Sequence, residues 1–261
     1  MESTLHDNTT KTCGDMGISV PQDHLAMKSC IQHSAHLANL GAHFLSVGND
    51  GSAFGAFKRS LDILQSIAGE HDLDALIMTA QDNLEMNEDP EAILPPVAIP
   101  FDCDINDASL YGTNEADKTV FFVYSKPFVL DQRALDVACT PVYIAAILFD
   151  MTLVMLRRAA VMLDHKKFLH KALRIFDMAL LLLRSAPNHV DSSNLLLACL
   201  NNKVHTCYCL HEFEDAHSAL DELSILLPVA CESSTFEEEE LNGMILNSLL
   251  PADPTRMATA A

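Results

Sequence analysis

Residues 200–228 read LNNKVHTCYCLHEFEDAHSALDELSILLP, and the fold turns on their spacing. Val204 precedes Ala216 by twelve positions. Leu220 and Leu223 follow that alanine by four and seven, and Pro228 follows it by twelve. The same intervals recur near the start of the chain. Gly41 stands twelve before Ala53, which is followed at four and seven by Phe57 and Ser60. A middle segment repeats the second half with Ala172, Phe176, Ala179 and Leu180. Its first half, with Leu148, Met151, Thr152 and Met155, fits only if about eight extra residues precede Ala172.

Helical periodicity runs through the same regions. It spans 25–67, broken by Gly48-Asn49-Asp50-Gly51, a turn signal. It spans 142–184 after Pro141, which suits a helix's first turn. It spans 195–227 and is expected to stop at Pro228. In a hairpin of two helices the tightest crossing needs small side chains, which Gly41, Ala53, Ala172 and Ala216 supply. Bulky neighbours one turn away fill the space beside it. One such pair cannot bury both apolar faces, whereas stacked pairs can.

This pattern resembles the tetratricopeptide repeat, a helix–turn–helix unit of about 34 residues. Glu212-Phe213-Glu214-Asp215-Ala216 looks like that family's turn into its second helix, and Pro228 stands at its closing proline. The resemblance implies an all-α, right-handed superhelical array of antiparallel helix hairpins, carrying an irregular acidic insertion. It divides the chain into a disordered lead (1–22), a first hairpin (23–68), the insertion (69–140), two further hairpins (141–230), a capping helix (231–250) and a tail (251–261). It further implies a concave groove lined by first helices. Carried over by residue, the third unit would present Asn201, Asn202, His205 and Tyr208, and the middle unit Phe149, Leu153 and Arg157. The amides could hydrogen-bond an extended peptide. The family's clamp for carboxylate C-termini needs Lys and Asn where this chain has Ala38 and Ala42, so a chaperone co-factor role is not expected.

Composition agrees with a helical fold. Of 261 residues 49% are hydrophobic, aromatics are 6%, and Gly and Pro number only 9 and 11. No alternation of Val/Ile-rich strands with helices suggests an α/β enzyme. With 36 acidic against 16 basic side chains the formal charge is −20, which disfavours nucleic-acid binding. Charge is also blocked along the chain. Residues 69–118 hold thirteen acidic and one basic residue, 141–190 hold three and seven, and 191–261 hold twelve and two. The basic band of Arg158, Lys166, Lys167, Lys171 and Arg174 is therefore a candidate receptor for an acidic segment. That segment would come from a partner, or from residues 72–91 or 237–240 of the chain itself by self-docking.

Eight scattered cysteines read as reduced thiols, the first residues have no signal-peptide pattern, and the apolar run 142–156 is short and carries Asp150. The expected location is cytoplasmic or nuclear, without a membrane partner. Weaker expectations are a short acidic helix near 73–84, extended chain over 91–100, an edge strand in 119–130 limited by Pro127, and a capping box at Ser234–Glu237 opening a terminal helix.

Sites for chemistry are few. His205, Cys207, Cys209 and His211 would converge on a strand, but on a helix they diverge, so no zinc site is expected. His33, His36 and His43 lack a third ligand. Gly48–Gly51 lacks a P-loop's Lys-Ser/Thr, and 102–107 lacks the Gly and Glu of a calcium loop. No cofactor is expected. The sequence reads as a non-catalytic scaffold or adaptor that binds another protein or peptide. The alternatives are a regulatory subunit acting through the acidic insertion and a helical enzyme.

Overall fold

A computed structural model describes residues 22–68, 121–133, 135–162, 165–186, 190–233 and 236–249. The expected lead as far as residue 21, the acidic insertion as far as residue 120, the calcium-like run at 102–107 and the tail lie outside these residues. So do the expected short helix at 73–84 and the extended chain at 91–100.

Among the described residues the protein is all-helical, with seven α-helices and no strand. They are α1 (Gln22–Ser46), α2 (Asp50–Ala68), α3 (Thr140–Val161), α4 (His165–Ser185), α5 (Val190–Leu210), α6 (Phe213–Ser233) and α7 (Glu238–Ser248). A 3₁₀ turn, Val137–Cys139, leads into α3. Each helix packs on the next in the chain, and α3 also touches both α1 and α5.

The first and third hairpins turn in the same way. Gly48 and His211 both take a left-handed backbone, at φ 80° and 63°. Each lies seven residues after the small position, Gly41 or Val204. The N–H groups close the helix end identically: Gly48 to Leu45 O and Asn49 to Phe44 O, His211 to Tyr208 O and Glu212 to Cys207 O. The Asn49 side chain then caps α2 by accepting from Ser52 N–H at 3.1 Å.

The middle hairpin explains its eight extra residues. Thr152 lies nine residues before the end of α3, whereas Gly41 lies five before the end of α1 and Val204 six before that of α5. Ala172 lies seven residues into α4, whereas Ala53 and Ala216 lie three into α2 and α6. About one extra helical turn on each arm lengthens the hairpin while its two arms stay in register.

Small residues sit at the tight positions. Ala53, Ala172 and Ala216 are fully buried. A Cβ on Gly41 would come within 2.6 Å of the Phe57 ring, which is itself fully buried, so only glycine fits. Seven residues beyond Ala53, Ser60 shares hydrogen bonds with Ser34 of α1 (Oγ–Oγ 2.8 Å), which ties the two helices where their backbones run close. The centre of the molecule is α3, buried without a break from Val142 to Leu156. Its composition and length would pass for a membrane span, but its apolar faces are taken up by α1, α2, α4 and α5.

Two boundaries differ from the sequence reading. Helix α6 does not stop at Pro228 but continues to Ser233. The lost N–H bond is offset by packing on either side, where Leu227 and Ala230 are buried. The capping box of α7 lies three residues later than expected. Glu237 is its N-cap, and the Glu240 carboxylate accepts the Glu237 N–H at 3.0 Å.

Candidate functional site: an extended segment on an amide ladder

The segment 121–130 (FFVYSKPFVL) was expected to contribute an edge strand. It is extended but pairs with no strand among the described residues. Side chains from alternate helices take the place of a strand, one after another (α7, α5, α3, α1).

Asn247 of α7 accepts from Phe122 N–H at 2.9 Å and donates to Phe122 O. Asn201 of α5 donates to the same carbonyl at 3.0 Å. Asn202 of α5 accepts from Tyr124 N–H and donates to Tyr124 O, both at 2.8 Å. Asp150 of α3 accepts from Phe128 N–H at 2.8 Å. Asn39 of α1 accepts from Leu130 N–H and donates to Leu130 O, both at 2.8 Å.

The geometry dictates the chemistry. In extended chain the N–H and C=O of one residue point to the same side, and alternate residues point to opposite sides. An Asn amide carries one donor end and one acceptor end, so a single side chain closes both bonds to one residue. Even-numbered residues face the ladder. Pro127 is odd, so its missing N–H costs no rung.

The rungs fall at 122, 124, 128 and 130, in steps of two, four and two. Those eight residue-to-residue steps span about 26 Å at roughly 3.3 Å each, close to three interhelical steps of about 8–10 Å. Since only even steps keep the same side facing the helices, the mixture of two and four is how an extended chain matches helix spacing.

Side chains add a second layer of contacts. Phe121 is buried against Tyr208 (ring centroids 4.7 Å) and the edge of His205 (5.8 Å). Tyr124 lies among Phe128, Phe149 and Phe236, and Phe128 stands edge-on to Phe149 at 5.3 Å. Phe122 lies over Gly243 of α7, where a Cβ would fall 2.3 Å from its ring. In the four-residue gap, Lys126 reaches Glu237 and Glu240 with its ammonium, both at 2.9 Å. The Glu240 and Glu237 carboxylates push that ammonium above its ordinary pKa of 10.5.

Burial shapes the other titrating groups. His205 is pushed down to about 4, and its Nδ1 has no hydrogen-bond partner. Its Nε2 lies 3.5 Å from Cys209 Sγ, one turn along the helix. Among the described residues no three metal-ligating side chains converge. Asp150 is fully enclosed, and burial raises its carboxyl well above the ordinary 3.8, opposed by the Phe128 N–H. The folded chain thus retains a proton that the unfolded chain sheds. Stability contributed at this site is present at low pH and falls as pH rises above about 3.8, by at most about 1.4 kcal/mol per pH unit. Asp150→Asn is expected to flatten this decline and to raise the melting temperature near pH 8, while leaving it nearly unchanged near pH 3.5. Parallel melting curves across that range, with the wild type and the variant declining alike, would count against it.

Of the sequence candidates, Asn201, Asn202, Phe149, Tyr208 and His205 meet the segment. Leu153 is fully buried. Arg157 is turned elsewhere: its guanidinium donates to Leu45 O at 2.5 Å and pairs with Asp50 at 3.3 Å, at the end of the first hairpin. The hairpin's extra turn carries it there. Arg158 lies over Phe54 of α2 at 5.9 Å. Lys166, Lys167 and Arg174 are exposed on α4 and Lys171 is half-buried. The acidic run 72–91 lies outside the described residues. The other suggested donor of acid, 237–240, turns Glu237 and Glu240 to Lys126 rather than to the basic band.

Asn39, Asp150, Asn247 and Lys126 were not anticipated. A signal was present: Asn39, Asp150 and Asn202 each stand two residues before the small or short residue of their first helix, Gly41, Thr152 and Val204. Asn39 lies between Ala38 and Ala42. Compared with protein-family models, curated proteins and solved structures, the chain finds no match.

Proposed function

We propose that this chain is a non-catalytic adaptor built as a tetratricopeptide-like superhelical array of hairpins. Its groove binds an extended peptide, and segment 121–130 is the occupant held in cis. The observation that carries this reading is the ladder, in which Asn247, Asn202 and Asn39 each bond both backbone groups of one residue. Such bonds do not depend on the peptide's side chains and would serve an external peptide equally. Support for the array comes from the matched turns at Gly48 and His211, the buried small residues at 53, 172 and 216, and the common position of the ladder residues.

The test is rescue in trans. In a full-length variant with 121–130 replaced by ten Gly/Ser residues, a synthetic peptide of the native segment should raise the melting temperature progressively with concentration, as any ligand of the folded state must. Absence of a shift at millimolar peptide would sink the adaptor reading.

A further inference from the structure

We infer that the partner recognised by this groove is a protein segment with a lysine at its centre and aromatic residues two positions to either side. This rests on the peptide-binding reading above and adds the sequence that the groove selects.

The ladder reads backbone at 122, 124, 128 and 130, and these contacts are blind to side chains. Position 126 is the even-numbered residue in the gap between α5 and α3, and here the protein reads a side chain. Two carboxylates from the start of α7 take the Lys126 ammonium, each at 2.9 Å. Glu240 is set in place beforehand, since it also accepts the Glu237 N–H and its side chain is only 11% exposed, whereas the Glu237 side chain is 70% exposed. An acidic residue at this position would face both. The chain's overall charge of −20 acts in the same direction, favouring a basic ligand at a distance.

The flanking positions are equally particular. Two residues before the lysine, an aromatic ring fits between Phe149 and Phe236. Two residues after it, another stands edge-on to Phe149. Four residues before it, a ring lies in the space left by Gly243. Proline directly after the lysine loses no rung. A partner segment with this pattern in extended conformation would exchange with 121–130.

The experiment uses the full chain with protease sites inserted between 118 and 119 and between the exposed residues Gln132 and Arg133. Cutting both leaves the native segment bound without a covalent tether. Fluorescent peptides are then exchanged into the nicked protein and followed by anisotropy. The native sequence is expected to exchange in, and a peptide with Glu in place of lysine to bind at least about tenfold more weakly. That difference should vanish in the Glu237→Gln, Glu240→Gln protein, whose amides keep an acceptor oxygen at the start of α7. If both peptides exchange equally well, the lysine preference is overturned and peptide binding stands. If neither exchanges into a nicked and folded protein, both readings fall. In the uncut chain, Lys126→Glu should speed amide hydrogen exchange across 121–130 several-fold, and an unchanged rate would also overturn the lysine's role.

Discussion

Asn202→Ala is expected to destabilise the protein by about 3–5 kcal/mol, out of proportion to the few atoms removed. Asn202 is fully buried, and Tyr124 is 8% exposed. Truncation strands the Tyr124 N–H and C=O together, and also the one Asn201 amide N–H that donates to Asn202 at 3.1 Å. Each buried polar group left without a partner costs about 1–3 kcal/mol. Urea unfolding measures the total. Hydrogen exchange across 121–130 shows whether the loss is local, with Tyr124 expected to exchange first. A loss below about 1 kcal/mol would mean that water replaces the amide at no cost and that the ladder is not what holds the segment.

Phe149→Ala should cost a similar amount, about 3–5 kcal/mol, for a different reason. The ring is fully buried on the central helix and touches three others, Tyr124 at 6.0 Å, Phe128 at 5.3 Å and Phe176 at 6.2 Å between centroids. Two of these belong to the segment and one to α4. The cavity therefore opens between the helices and the segment, and denaturation and segment exchange should report it together. Ile225→Ala on α6 is the control. That side chain is 73% exposed, and its removal should stay within about 0.5 kcal/mol. Equal losses at both positions would refute the placement of Phe149 at the junction.

The two variants also separate two kinds of contact. Asn202 bonds only to main chain across the segment, so its effect should not change with the sequence of 121–130. Phe149 meets side chains, so its effect should shrink in a segment carrying Tyr124→Ala. A double-mutant cycle with Phe149→Ala would measure that coupling, which contacting residues show at about 0.5–3 kcal/mol.

How much was legible in advance depended on the range of the interaction. The helices and their pairing came from local intervals: Gly41 to Ala53, Val204 to Ala216, the Gly48–Gly51 turn and Pro141 at a helix start. Each reports a contact between residues within one hairpin, so the sequence carries it directly. Even the middle hairpin's irregular spacing was visible as eight surplus residues, although only coordinates divide them into one turn per arm. The asparagines at 201 and 202 were reached through the repeat resemblance, and Asn202 stands two residues before Val204, as Asn39 does before Gly41 and Asp150 before Thr152.

By itself, then, the sequence determined that the protein is helical, where its hairpins lie, and that small side chains occupy their crossings. These follow from periodicity and steric size, which act over a few turns. Tertiary structure alone decided that residues 121–130 lie along α7, α5, α3 and α1, that Lys126 meets Glu240, and that Arg157 turns to Asp50. The pairs involved are separated by between 22 and 125 positions, and extended chain has no internal hydrogen bonds to announce its place. Where such a segment lies is set by whichever distant amides can satisfy its backbone, and that depends on how the helices are stacked.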